Sequence, residues 1–69
     1  MLSSAERRRI KDEISSLKNR RLTLKHAIRS HYDSGGQQGG FQVRGAETEL
    51  AQVERRITEL EERLKGVVS

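Results

Sequence analysis

The sequence has no cysteine and no proline, and its only aromatic residues are Tyr32 and Phe41. Without cysteine there is neither a disulfide framework nor a thiolate zinc site, and a cytoplasmic setting is expected. Two aromatics in 69 residues leave no large globular core, and a chain of this length forms one domain at most. Long apolar runs are missing too. No stretch approaches the roughly 20 apolar residues of a membrane span, and Met1-Leu2-Ser3-Ser4-Ala5 followed by Glu6-Arg7-Arg8-Arg9 has no apolar stretch of the signal-peptide kind, so neither a span nor a leader is expected. The absence of proline and a charged fraction of 35% suit long solvated helices better than a sheet.

The strongest pattern in the chain runs from Leu50 to Leu64. Leu50, Val53, Ile57, Leu60 and Leu64 follow each other at spacings of three, four, three and four. That is the a/d seam of a heptad repeat, which lines apolar side chains along one edge of a helix and leaves the rest polar. A second seam lies upstream: Ile10, Ile14, Leu17, Leu24 and Ile28, at four, three, seven and four, with Arg21 at the skipped position. Ser3-Ser4-Ala5-Glu6 reads as its start, Ser3 capping while Glu6 reaches back in a capping box. The first helix is expected over about residues 4–32, with Arg29 and His31 near its negative C-terminal end.

Ser34-Gly35-Gly36-Gln37-Gln38-Gly39-Gly40 interrupts the pattern. Each glycine inside a helix costs about 1 kcal/mol relative to alanine, so this stretch reads as a connector, with Gly35 as the C-terminal cap. It follows a helix and carries no Gly-Lys-Ser/Thr, which excludes a phosphate-cradling loop. Phe41-Gln42-Val43-Arg44-Gly45 alternates apolar and polar, the pattern of a short extended segment, so the loop is expected over 33–45. Phe41, Val43 and Arg44 are candidate contacts for a partner. A second helix is expected over about 46–65, with Glu47 and Glu49 near its positive end and Gly66 as its cap.

The two seams predict each other. With Ile14, Arg21 and Ile28 at a in the first helix, and Leu50, Ile57 and Leu64 at a in the second, the e positions are Lys11, Lys18 and Lys25 against Glu47, Glu54 and Glu61. Folding the chain about Gln37 opposes Lys25 with Glu47, Lys18 with Glu54 and Lys11 with Glu61. The same fold stacks Ile10 on Leu64, Ile14 on Leu60, Leu17 on Ile57 and Leu24 on Leu50. On the g edge Glu13 meets Arg63 favourably, and Arg20 meets Arg56 unfavourably. Exposed pairs of this kind select orientation and register more than they stabilise. The expected fold is therefore all-α, an antiparallel two-helix coiled-coil hairpin with a Gly-rich connector. Half-burying about ten apolar side chains barely offsets the entropy of ordering two helices, so self-association or a docked partner is expected.

Catalytic constellations are absent. His26 and His31 are five apart and so point about 140° apart around a helix, not the i, i+4 geometry of a helical metal pair. Ser30, His31 and Asp33 are triad residue types, but neighbours on one helix cannot line up as nucleophile, base and orienter. Neither an enzyme, a cofactor, a metal nor a small-molecule substrate is expected. The net charge of +4 is unevenly placed: residues 1–33 hold nine Lys/Arg against four Asp/Glu, residues 41–69 five against six. Arg7, Arg8, Arg9, Arg20 and Arg29 make the first helix a basic rod that is a candidate nucleic-acid contact along a phosphate backbone, without base reading.

Gly40-Phe41-Gln42-Val43-Arg44-Gly45-Ala46-Glu47-Thr48-Glu49-Leu50, running into the Val53/Ile57/Leu60/Leu64 seam, resembles the second half of small phage head–tail joining proteins of the gpW type. The resemblance covers about 25 residues, and the first helix here is longer than in that family. It implies a helix, a short glycine-containing strand segment and a second amphipathic helix, and a place in a virion. In outline the chain is also similar to a basic two-helix ribosomal protein. The expected function is that of a structural, protein-binding chain, self-associating or docked into a larger assembly, with nucleic-acid binding as the alternative.

Overall fold

The computed structural model describes residues 2–33, 35 and 43–66. Two helices, α1 (Ser4–Asp33) and α2 (Val43–Lys65), pack along each other as an all-α hairpin. Glu13 pairs with Arg56 and Arg20 with Glu49, so one helix ascends in sequence as the other descends, and the pair is antiparallel. The longest dimension, 49 Å, is set by α1, whose 30 residues rise about 45 Å at 1.5 Å each.

Three of the four helix ends are closed by local chemistry that was legible in the sequence. At the start of α1 the Ser3 N–H donates to Glu6 Oε1 at 3.3 Å and the Glu6 N–H donates to Ser3 Oγ at 3.1 Å, a complete capping box. At its end Gly35 turns left-handed, φ 76°, and its N–H donates to the Tyr32 carbonyl at 3.1 Å. Gly66 does the same for α2, φ 74°, donating to the Arg63 carbonyl at 3.2 Å. Arg63 and Lys65 stand in that last turn, where their charge complements the exposed carbonyls.

The beginning of α2 departs from expectation. Val43, Arg44 and Gly45 are helical, not extended, and the helix starts three residues before residue 46. Two sequence patterns compete here, the alternation of Val43 with Gly45 and the three-then-four spacing of Val43, Ala46 and Leu50. The second prevails because it extends the seam: Val43 and Ala46 are both half-buried, and Ala46 packs on the core. Glu47 and Glu49 are thereby displaced from the first turn, which holds no acidic residue. Phe41 and Gln42 lie outside the described residues, as does most of the connector.

The core is one cluster of six buried side chains, Ile10, Ile14 and Leu24 from α1 with Val53, Ile57 and Leu60 from α2. Leu17, Leu50 and Leu64 of the seams pack against it partly exposed, and Ile28 is half-buried. Leu2, ahead of the cap, also packs onto the core, a contact the heptad pattern does not reveal. Arg21, at the skipped position of its seam, is half-buried.

Leu60 is the most deeply buried residue, 1% exposed, so Leu60→Ala should cost about 2–4 kcal/mol, whereas Leu22→Ala, at a site 57% exposed, should change little; urea denaturation monitored by circular dichroism measures both. A Cβ on Gly45 would meet no atom within 4 Å, and its backbone is helical, so Gly45→Ala should stabilise the hairpin by up to about 1 kcal/mol. Gly66→Ala has the same free space but a left-handed backbone, and the same denaturation series should show it destabilised.

Candidate interaction surfaces

Helical spacing lays out two flanks beside the seam. Arg7, Lys11, Lys18, Lys25 and Arg29, at steps of four, seven, seven and four, run along one flank of α1, and no Asp or Glu interrupts the series. Glu47, Glu54 and Glu61, at steps of seven, run along the adjoining flank of α2. Lys18 Nζ stands 3.6 Å from Glu61 Oε2 across this edge. The opposite edge mixes signs. There Arg20 grips Glu49 with both Nε and Nη2, at 2.7 and 2.8 Å, and Arg56 Nε donates to Glu13 Oε2 at 3.1 Å while Nη1 lies 3.5 Å from Glu59.

These pairings correct the expected ones. Lys18 takes Glu61, not Glu54, one heptad further along α2. On the other edge Arg56 and Arg20 take Glu13 and Glu49, each one heptad earlier in sequence than the level partner. The displacements are equal and opposite, so the ion pairs bracket the register that the two seams predict. The reason is reach and sign. Long Lys and Arg arms span the diagonal to the next heptad, and on the mixed edge that diagonal gives Arg20 and Arg56 a carboxylate each where the level register would oppose the two. Arg63, expected against Glu13, makes no ion pair among the described residues. A two-pronged arginine–carboxylate contact is also the better hydrogen-bonding geometry.

The arginines expected to meet nucleic acid are thereby divided. Arg20 is committed to Glu49, and Arg29 lies 3.7 Å from Asp33 on the same helix. Arg7, Arg8 and Arg9 are exposed and make no ion pair among the described residues. The candidate protein contacts do not join them. Val43 is half-buried in the first turn of α2 and Arg44 is exposed beside it, at the connector end of an antiparallel pair, whereas Arg7–Arg9 stand at the other end. Phe41 falls outside the described residues. The two-pronged Arg20–Glu49 contact departs from the level register that the seams predict; the spacing of unlike charges on the g edge is its signal in the sequence.

Surface depressions lie along α1, one lined by Ser4, Arg7, Arg8, Lys11 and Asp12 and another by Leu22, Lys25, His26 and Arg29, and both are open to solvent. His31 meets the Tyr32 ring edge-on, centroids 5.6 Å apart. Among the described residues no group of three or more His, Asp or Glu side chains is placed to hold a metal ion, and no helix is long and apolar enough to cross a membrane.

The Arg20 hydrogen bonds hold the Glu49 carboxylate below its ordinary value of 4.5, and contact with Ser3, through its side chain first and its backbone second, does the same for Glu6. Both acids are depressed by folding, so their stabilisation is complete above the unfolded value and is lost as pH falls through the folded one. The urea midpoint should be flat near neutrality and decline below about pH 4.5. Arg20→Gln should return the Glu49 titration, followed by NMR, toward its ordinary value and lessen that decline. Compared with known proteins, the chain matches no family model, no curated protein and no solved structure.

Proposed function

We propose that this chain is a non-enzymatic structural and interaction protein, a helical hairpin that self-associates or docks into a larger assembly. The observation that supports this most is the shape of the core. Among the described residues six side chains are buried between the two helices, while Leu2, Leu17, Ala46, Leu50 and Leu64 pack on them and stay partly exposed. Two layers of this size bury too little apolar surface to stand far from the folding balance point, and a further helical layer over the open seam relieves that. The assembly we favour is a phage head–tail joint, on the resemblance of residues 40–50 alone, and a cytoplasmic setting before assembly. Sedimentation equilibrium with circular dichroism at several concentrations tests the reading. Helicity and melting temperature should rise with concentration through the micromolar range, in step with mass. A cooperatively folded monomer at every concentration, retaining no partner in a pull-down from its host, would end it.

A second reading is supported by a different observation, the three exposed arginines at the start of α1 that no carboxylate engages among the described residues. These can lie along a phosphate backbone as a sequence-independent contact. Fluorescence anisotropy with duplex and single-stranded probes should then show an affinity falling steeply with salt. It should drop further for Arg8→Glu with Arg9→Glu. No binding at low salt excludes this reading.

A further inference from the structure

Resting on the interaction-protein reading, we propose that the partner of the open seam is a second copy of this chain, docked on the flank that carries Lys11, Lys18, Lys25, Glu47, Glu54 and Glu61. Charge on this flank is segregated by helix, basic along α1 and acidic along α2. Most of it is unspent. Lys18 and Glu61 pair with each other, but Lys11, Lys25, Glu47 and Glu54 make no ion pair among the described residues. Between the two charged rows lie the a positions, which sit next to e around each helix. Leu50, Leu64, Ile28 and Arg21 all occupy a positions and all remain partly exposed. The face thus carries an apolar strip, interrupted at Arg21 and where Ile14 and Ile57 are buried inside the hairpin, and bordered on one side by cations and on the other by anions.

A surface of that kind complements itself. A two-fold axis parallel to the helices sets α1 of one copy against α2 of the other, running antiparallel, and makes every contact twice. It also keeps each residue at its own height along the rod. Residues that are level within a chain folded about residue 37 then become level between chains. Lys25 meets Glu47 of the second copy, Lys18 meets Glu54, and Lys11 meets Glu61. These are the pairs that the diagonal reach within one hairpin leaves unmade. Glu54 of the second copy also comes level with Arg21, which has no ion pair among the described residues. The apolar strips close on each other at the centre, giving a four-helix bundle. A nucleic acid fits this face less well, because the acidic row of α2 would stand beside its phosphates.

The test exchanges charge between copies without touching any ion pair inside the hairpin. One variant carries Lys11→Glu with Lys25→Glu, the other Glu47→Lys with Glu54→Lys. Sedimentation equilibrium should show the wild type dimerising in the micromolar range and each variant alone weakened about 30-fold, since each symmetric contact is made twice with like charges. An equal mixture of the two should recover part of the loss as a heterodimer, because the reversed residues 25 and 47 attract again while residues 11 and 18 still meet like charge at 61 and 54. Lys25→Glu mixed with Glu47→Lys, which leaves no mismatch, should recover near wild-type affinity. Arg55→Glu, on the far side of α2, should stay within about twofold of wild type. Circular dichroism at high concentration checks that each variant folds. Should a double reversal unfold, Lys25→Glu and Glu47→Lys repeat the exchange with one residue per chain. A dimer indifferent to both reversals, or weakened by both with no recovery on mixing, overturns this face while leaving the interaction reading standing. Association only on addition of duplex DNA overturns it in favour of the polyanion. A cooperatively folded wild-type monomer throughout the range overturns it as well, and removes self-association from the wider reading.

Discussion

Leu60 and Ile57 are closed off from solvent because a second helix lies on them, and every other regular feature of this molecule follows from that contact. Neither helix is stable by composition alone. A 23- or 30-residue segment this rich in charge nucleates poorly in water and holds its shape chiefly through the apolar edge it can cover. The three-then-four spacing keeps that edge straight over the length of both helices, so that a single row of side chains from each suffices. Where the row is broken, at Arg21, the position is still half-buried. Where it can be prolonged, at Val43 and Ala46, the helix is prolonged with it, even through a glycine that local propensity disfavours.

Charge acts on this frame as a selector. A hydrophobic seam alone does not distinguish parallel from antiparallel or one register from the next. On one edge the signs are sorted by helix, and any antiparallel alignment near the observed one brings cation beside anion. On the other edge they alternate, and only some alignments are tolerable. The structure meets both demands with diagonal contacts of opposite sense. The mixed edge is nearly spent inside the chain, in the Arg20–Glu49 and Arg56–Glu13 pairs. The sorted edge keeps most of its charge available, and so do the three arginines at the start of α1. The charge not paired within the chain, among the described residues, is therefore concentrated on one long face and one end.

The described histidines and carboxylates of this molecule are spread along the two helices, and among the described residues no three or more of them are grouped to hold a metal ion. What it offers is an extended, rigid, sign-patterned surface around a thin core.

The fold class, both seams, the capping box at Ser3 and Glu6 and the two glycine caps were all determined by the sequence itself. The reason is that each is a local rule: heptad spacing, a hydroxyl three residues from a carboxylate, a backbone turn that only glycine adopts cheaply. The start of α2 was not legible at Val43, because the two-residue and the three-then-four periodicities overlap over so short a stretch, and only the presence of α1 decides between them. Leu2 joined the core for the same reason, since nothing local marks it as facing another helix. The identity of the ion pairs was likewise a tertiary decision. Sequence places Lys18, Arg20 and Arg56 on their edges, but whether each reaches the level carboxylate or the diagonal one depends on the path of a long side chain across a particular interface. Those paths exist only once the two helices have met.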